Sequence, residues 1–131
     1  EKIFMSYRDT FSDAKKILNK YKIGVAHHKA IHLISLHKGI TISELLGKLK
    51  VTKQSLNRVI KDLLIIKAIY FEKDDRDTRL KHIYLSEKGS SIFNEIFSVQ
   101  KKRIYKALLN SSSSEVINFN KVLQRIINEK F

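Results

Sequence analysis

Two helix-start sequences lie close together near the middle of the chain. Thr41-Ile42-Ser43-Glu44 has the form of a capping box, in which the threonine hydroxyl accepts the fourth residue's N–H and the glutamate accepts the first. Thr52 reads as a second N-cap, and Lys50-Val51 leaves room only for a short turn between the two helices. Two short capped helices joined by such a turn form a helix-turn-helix.

The second of these helices separates an apolar face from a polar one. Its inward positions are Leu56, Val59, Ile60 and Leu63, and its outward positions are Lys53, Gln54, Ser55, Asn57, Arg58 and Lys61. The first two turns of such a helix enter the major groove of DNA. Gln54 and Asn57 match adenine edges, whereas Arg58 matches guanine or a phosphate. Ser55 suits either, and Lys53 with the N-terminal N–H groups suits a phosphate. An ordinary helical hairpin with a solvated polar face is the alternative.

An excess of cations favours an anionic partner. The chain carries 26 Lys plus Arg against 13 Asp plus Glu, for a formal net charge of +13. Such a balance is typical of proteins that bind nucleic acid or an acidic membrane surface. Codon bias is the alternative explanation, because 20 of the cations are Lys and Ile occurs 18 times, as an AT-rich genome would produce.

Residues 68–85 change from a helical to a strand-like pattern. Ile69–Lys73 and Leu80–Leu85 are rich in β-branched and aromatic residues, and the six residues 74–79 between them are all polar. The pattern predicts a β-hairpin with a charged tip. A hairpin that follows a helix-turn-helix supplies a second contact in the neighbouring minor groove, where a cation suits the negative potential.

The order of these motifs resembles a known family. Leu45, Leu49 and Val51-Thr52-x-Gln54-Ser55-Leu56-Asn57-Arg58 are followed by Asp74-x-Arg76-Asp77-x-Arg79 and by Leu85-Ser86-Glu87-Lys88-Gly89. This arrangement resembles the MarR family of winged-helix transcriptional regulators. The resemblance implies a mainly α fold with a small β-hairpin wing, that is, a winged helix-turn-helix with N- and C-terminal dimerisation helices.

The resemblance also divides the chain. We expect a single domain over residues 1–131 with a winged-helix DNA-binding core at 25–90, in which the helix-turn-helix occupies about 41–66 and the wing about 68–85. Residues 1–22 and 90–131 are then the dimerisation helices. The expected DNA-binding residues are Thr52, Lys53, Gln54, Ser55, Asn57, Arg58, Lys61, Lys73, Arg76, Thr78 and Arg79.

Three positions depart from the family pattern. Thr78 stands where a basic minor-groove probe is common, so Arg76 takes over that contact or the wing reads DNA weakly. Lys67 stands where relatives usually carry the Gly that ends the recognition helix. Residues 63–66 are apolar all round where relatives are usually charged. In the family the wing's acid–base pair braces the loop, a role that falls here to Asp77 and Arg79.

Apolar stripes at the two ends of the chain indicate a homodimer. Phe4, Tyr7, Phe11, Ala14 and Leu18 recur at helical spacing on a helix expected from about residue 2 to 20, and Val116, Phe119, Leu123, Ile126 and Ile127 do so on a last helix opened by Ser112. Neither stripe is needed to complete a winged-helix core, so we expect both at a two-fold interface. The alternative is that both helices pack within one subunit.

Histidines offer a weaker signal. His28 and His32 lie four residues apart on one helix, a spacing that can bind a divalent metal. No third ligand is evident nearby, and a polar seam on a mostly buried helix is the favoured explanation of the pair. We therefore expect no metal and no cofactor, with a metal-responsive regulator of the same fold as an alternative. Family relatives bind small aromatic or anionic effectors, for which Tyr7, Tyr21, Ser35 and the histidines are candidate contacts.

Several classes of protein are excluded. Without Cys the chain has no disulfide scaffold and no thiol switch, and no apolar run approaches the ~18 residues of a membrane span. With only four Gly there is no phosphate-binding loop, and the acids cluster at the hairpin tip rather than as a catalytic pair, so an enzyme is not expected. We expect a cytoplasmic, ligand-responsive repressor that binds an inverted repeat in double-stranded DNA as a homodimer. The alternative is a non-specific, basic architectural protein.

Overall fold

The computed structural model describes residues 1–128, most of which are helical. In chain order the elements are α1 (Lys2–Ser12), α2 (Lys15–Lys20), α3 (Val25–Leu36), β1 (Ile40–Thr41), α4 (Ile42–Leu49), α5 (Lys53–Ile65), β2 (Ile69–Lys73), β3 (Lys81–Leu85), α6 (Glu87–Leu109) and α7 (Ser113–Asn128). The expected fold class, mainly α with a small β wing, is confirmed. Residues 129–131, the end of the expected C-terminal dimerisation helix, lie outside the described residues.

Helix α3 lies at the centre of the fold. It packs against α4, α5, α6 and β3 and buries Ala30, Ile31 and Ile34 almost completely. A helix that is apolar on more than one side has to be covered on more than one side. The helix-turn-helix, the wing and the long helix α6 are therefore all built on this one element.

The wing strands belong to a three-stranded antiparallel sheet in the order β1-β3-β2. Pairing places Ile69 opposite Leu85 and Lys73 opposite Lys81. The hairpin is as expected, but β1 was not predicted. Two residues, Ile40 and Thr41, are too few for an alternating pattern to appear in the sequence, and only their pairing with His82 and Ile83 identifies them as a strand.

The expected single helix over residues 2–20 is wrong. The chain bends at Asp13, and α1 and α2 are separate helices. At the bend Ala14 is fully buried, and Asp13 accepts two hydrogen bonds from the Arg103 guanidinium of α6, at 2.6 and 2.8 Å. Tertiary packing and this ion pair therefore override the continuous helical pattern. As a result Ala14 and Leu18 lie in the core of the single chain and cannot contribute to a dimer interface, contrary to the expectation.

The predicted helix starts are confirmed. Thr41 and Glu44 form the capping box of α4, Thr52 caps α5 and Ser86 caps α6. Ser112 and Glu115 form the same box at the start of α7, with the Ser112 N–H donating to the carboxylate at 2.7 Å. Local hydrogen bonding thus fixes where each of these helices begins.

The end of α5 is locked to the start of α6. Lys67 has a φ of 59°, the left-handed conformation expected where relatives carry Gly. The Ser86 hydroxyl donates to the Lys67 carbonyl at 2.6 Å, and the Ser86 N–H donates to the Ala68 carbonyl at 2.9 Å. Gly89 presses against that same Ala68 carbonyl so closely that no side-chain carbon fits between them.

Lys22 and Lys50 share the left-handed conformation of Lys67, with φ values of 55° and 52°. Gly39 is also left-handed, with a φ of 78°, and lies two residues after His37, the C-cap residue of α3. In residues 1–128 no helix is long and apolar enough to cross a bilayer.

Two helical glycines give opposite predictions for the same substitution. Gly89→Ala should lower the free energy of unfolding by about 2 kcal/mol or more, because the new methyl group overlaps the Ala68 carbonyl. Gly47→Ala, in α4, should raise the free energy of unfolding by ~0.5–1 kcal/mol. The added methyl group would have no other atom within 4 Å, and alanine favours a helix more than glycine does. Urea denaturation measures both, and equal effects from the two substitutions would contradict the close contact at Gly89.

Candidate nucleic-acid interface

The start of α5 is fixed by its cap. The Ser55 N–H donates to the Thr52 hydroxyl oxygen at 3.1 Å, and that hydroxyl donates to the Ser55 Oγ at 2.9 Å. The N–H groups of Lys53 and Gln54 have no carbonyl partner within the helix, because they belong to its first turn. They form a small region of positive potential at the helix end.

One face of α5 is exposed and the other is buried. Leu56, Val59, Ile60 and Leu63 are buried, as expected. The six outward residues are all exposed, namely Lys53, Gln54, Ser55, Asn57, Arg58 and Lys61. Five of them make no side-chain hydrogen bond to another of residues 1–128; the exception is Ser55, held by Thr52. The face is therefore free to donate to and accept from a ligand.

The apolar residues at the end of α5 do not all find cover. Leu64 is 40% exposed and Ile65 67% exposed, whereas Leu63 is fully buried. The departure from the family pattern at residues 63–66 thus leaves an apolar surface beside the polar face.

The wing tip is built around two carboxylates. Asp74 Oδ1 accepts the backbone N–H groups of Arg76 and Asp77, at 2.8 and 2.9 Å. Asp77 Oδ1 accepts the Nε–H of Arg79 at 3.0 Å, and Oδ2 accepts its Nη2 at 3.1 Å. The Arg79 guanidinium lowers the pKa of the Asp77 carboxyl. The structure thus contains the expected ion pair between Asp77 and Arg79. Arg76 and Thr78 are exposed beside it.

Asp74 is itself held by His82, a contact that the sequence analysis did not predict. His82 Nε2 lies 2.7 Å from Asp74 Oδ2, and His82 Nδ1 lies 2.7 Å from the Gly39 carbonyl oxygen. The hydrogen bond from His82, with those from the Asp77 and Arg76 N–H groups, lowers the pKa of Asp74 to about 2. In the sequence, His82 is visible as a histidine on the strand that follows an acidic loop. Because Asp74 lies eight residues earlier, on the other side of that loop, no local pattern predicts the contact.

The other histidines lie in or beside α3. His28 is buried, its Nδ1 has no hydrogen-bond partner among residues 1–128, and its ring lies 4.9 Å from that of Phe11. Burial, together with the nearby His32, lowers the pKa of His28 to about 4. Burial also lowers the pKa of His32, whose ring lies 5.9 Å from that of Phe93. Over the described part of the chain, no three His, Asp or Glu side chains are grouped so as to hold a metal ion.

A cleft of about 440 Å³ opens beside these two histidines, between α1, α3, α4 and α6. Its polar lining is Thr10, His28, Lys29, His32, Lys48 and Gln100. Of the effector contacts expected from the sequence, only the two histidines line it. Tyr21 instead donates its hydroxyl to Glu95 at 2.7 Å.

The expected interface residues at the two ends of the chain are mostly uncovered. Neither α1 nor α7 buries any residue in the single chain. Phe4, Tyr7, Phe119, Ile126 and Ile127 are exposed, and Phe11, Val116 and Leu123 are half-buried. A groove of about 690 Å³ runs between α1, α6 and α7, with Met5, Ile104, Leu108, Val116 and Phe119 among its lining residues.

No family model matches the chain. It is 35% identical over 127 residues to the HTH-type transcriptional regulator PetP of Rhodobacter capsulatus, covering 97% of this chain and 76% of that protein. It is 26% identical over 118 residues to the regulator TcaR of Staphylococcus aureus, covering 88% and 77%.

Solved structures share the fold. A mutant of MepR from S. aureus superimposes with a TM-score of 0.82 at 20% identity, covering 95% of this chain and 91% of that one. A MarR-family regulator from Silicibacter pomeroyi gives 0.80 at 17% identity, over 95% and 84%. The MepR–DNA complex gives 0.74 at 20% identity, over 95% and 93%.

The chain belongs to the MarR family of winged-helix transcriptional regulators. In a MarR-family fold α4 is the supporting helix of the helix-turn-helix, α5 is the recognition helix, and the β2–β3 hairpin is the wing. The polar face of α5 and the exposed tip of the hairpin are therefore the two surfaces at which a regulator of this fold is expected to meet DNA. The family consists of transcriptional regulators rather than enzymes.

Proposed function

We propose that the protein is a homodimeric repressor that binds an inverted repeat in double-stranded DNA and releases it in response to a small effector. The proposal retains the division into a winged-helix core at 25–90 flanked by dimerisation helices at 1–22 and 90–131. A regulator that acts on a bacterial chromosome works in the cytoplasm. The observation that carries the proposal is the capped polar face of α5, exposed and largely without partners among residues 1–128.

The residue types on α5 suit both base reading and phosphate contact. Gln54 and Asn57 present amides that pair with an adenine edge in two hydrogen bonds, and Arg58 presents a fork that matches guanine. Thr52, Lys53, Ser55 and Lys61 surround them and suit phosphates. Since the cap fixes the start of the helix, these groups are held in register before DNA arrives.

The wing supplies the second contact. Lys73, Arg76 and Arg79 are exposed at or near its tip, and Thr78 stands between the two arginines. Because Arg79 is engaged by Asp77 and Thr78 carries no charge, Arg76 is the cation available to enter a narrow minor groove. MepR, a protein of the same fold, has been solved with DNA, which supports DNA as the ligand.

A second copy of the chain is the partner that fits the terminal helices. Helices with no fully buried residue in one chain gain little from packing, and short helices in water are marginal without it. Each of α1, α6 and α7 contributes apolar side chains to one common groove, so one partner can contact all three helices there. These side chains are Met5, Ile104, Ala107, Leu108, Val116 and Phe119. A two-fold axis through this face would hold two recognition helices one DNA turn apart.

The cleft beside His28 is suited to the effector. It lies between the terminal helix α1 and the helix-turn-helix, and Lys29 and Lys48 make it basic, which suits a small aromatic or anionic molecule. A ligand that binds better when the two recognition helices are wrongly spaced shifts the population away from the DNA-binding form.

Selection of bound sequences from a random duplex pool, at about 150 mM salt, tests the function. Screening then limits simple charge attraction to ~8 Å. We expect an enriched inverted repeat with half-sites ~34–36 Å apart, and silencing of a reporter that carries it. Binding without enrichment that disappears steeply as salt rises would instead identify a non-specific architectural protein.

Arg58→Ala should weaken binding to the selected site by about 1–3 kcal/mol and relax the preference at one position of each half-site. Arg58→Lys is the matched control, because it keeps the charge but loses the two-pronged hydrogen bonding to guanine. Competition against single-base variants of the site measures both. If Arg58→Lys restores affinity and preference together, Arg58 contacts a phosphate instead.

Phe119→Asp should make the protein monomeric and abolish tight binding to the inverted repeat. Phe119 is 62% exposed in the single chain, so its loss should not unfold the subunit. Asn118→Asp adds the same charge about 100° around α7 from Phe119, outside the apolar stripe, and should leave the dimer intact. Sedimentation equilibrium distinguishes the 15.3 kDa chain from its dimer. A wild-type protein that sediments as a monomer at micromolar concentration would contradict the assignment.

A further inference from the structure

His82 lies between two groups that can only accept hydrogen bonds. Its Nδ1 is 2.7 Å from the Gly39 carbonyl oxygen, and its Nε2 is 2.7 Å from Asp74 Oδ2. The other oxygen of Asp74 already accepts two backbone N–H groups, which stabilise the carboxylate form. A neutral imidazole has one N–H, and could satisfy only one of its two neighbours. Both contacts therefore require the imidazolium.

His27 shows what the neutral arrangement looks like in the same chain. Its Nδ1 accepts the Gly24 backbone N–H at 3.1 Å, so that nitrogen carries no proton. Its Nε2 then donates to Asp62 Oδ2 at 2.9 Å. Both histidines pair with an aspartate, and the second neighbour decides the protonation: an N–H donor opposite His27 and a carbonyl opposite His82.

The contacts of His82 connect the body of the protein to the wing tip. Gly39 directly precedes β1 and lies two residues before the capping threonine of α4, so its carbonyl adjoins the start of the helix-turn-helix. From His82 the connection runs through Asp74 to the backbone N–H groups of Arg76 and Asp77, and Asp77 in turn holds Arg79. Loss of the proton on His82 breaks this series at its first or second bond.

We propose that His82 is a positioning residue whose proton holds the wing in its DNA-binding conformation, so that DNA affinity falls as pH rises. The inference rests on the proposed function, because it assumes that the wing contacts DNA. His82 touches no DNA in this scheme; it acts through Asp74 and the loop. The wing is thereby a proton-dependent part of the DNA-binding surface, and α5 is not.

The charges around His82 favour its protonated form. Asp74 faces it from the wing loop, Glu44 from α4 and, opposite it in the sheet, Glu72 from β2. The neighbouring cations are Lys38 and Lys48, which line the hollow beside Gly39 and Glu44 together with the titratable His37, and Lys81, the preceding residue of β3. The hydrogen bond to Asp74, followed by that to the Gly39 carbonyl, raises the pKa of His82.

The raised pKa of His82 determines how the stability of the wing changes with pH. A histidine whose pKa is raised by folding stabilises the folded arrangement fully below its unfolded pKa of about 6.5, and loses that contribution as pH rises through the raised value. The pKa of Asp74, at about 2, keeps its carboxylate ionised throughout this range. The wing should therefore be ordered at pH 6 and released at alkaline pH.

Nitrogen NMR of the histidine rings in the full-length protein tests the protonation directly. At pH 6.5 we expect both His82 nitrogens to carry protons. The amide signals of Arg76 and Asp77 should shift with the same midpoint as the His82 ring. A His82 ring with a single proton at pH 6.5, or wing amides that do not follow it, would overturn the inference whether or not the protein binds DNA.

DNA affinity measured by fluorescence anisotropy on the selected duplex tests the consequence. We expect the wild type to lose ~3- to 10-fold in affinity as pH rises through the His82 midpoint, the scale of losing one groove contact. His82→Gln should bind at the weaker level at all pH values, whereas His37→Gln, an exposed histidine nearby, should behave as the wild type. A His82→Gln profile identical to the wild type's would reject the inference. Absence of DNA binding at every pH would reject the proposed function instead. The NMR measurement would still test the protonation of His82 by itself.

Discussion

One close backbone contact, that of Gly89 with the Ala68 carbonyl, holds the end of α5 against the start of α6. Ala68 ends the turn after α5, and Gly89 lies in the first turn of α6, so the contact joins α5 to the long helix that leads toward the C-terminus. Ser86 adds two hydrogen bonds to the same turn. The junction between α5 and α6 is therefore closely packed and hydrogen-bonded.

Local signals predicted much of the fold. The caps at Thr41, Thr52 and Ser86 act over three residues, and the apolar face of α5 repeats over three turns, so both can be read from sequence. The bend at Asp13 could not be predicted, because it depends on Arg103, ninety residues away in the chain. The same argument applies to Ala14 and Leu18, whose helical stripe looked like a partner surface until their burial against other elements was known.

The candidate site divides in the same way. The helical period of α5 predicted which of its residues face outward, and the wing motif predicted the Asp77–Arg79 ion pair. The Asp74–His82–Gly39 series did not, because it joins a loop, a strand and the end of a preceding turn. Two residues alone make β1, yet that short strand places the Gly39 carbonyl against the sheet. Single polar contacts between distant segments leave no periodic trace in a sequence.

The bare surfaces of α1 and α7 bear on the meaning of stability for this protein. If a second copy covers them, as proposed, folding and association are one equilibrium, and part of the free energy that holds these helices comes from the partner. The thermal midpoint then rises with protein concentration, and a dilute, newly made chain has less ordered ends than a crowded one. The number of copies in the cell would thus set both how much operator is occupied and how much of each chain is folded.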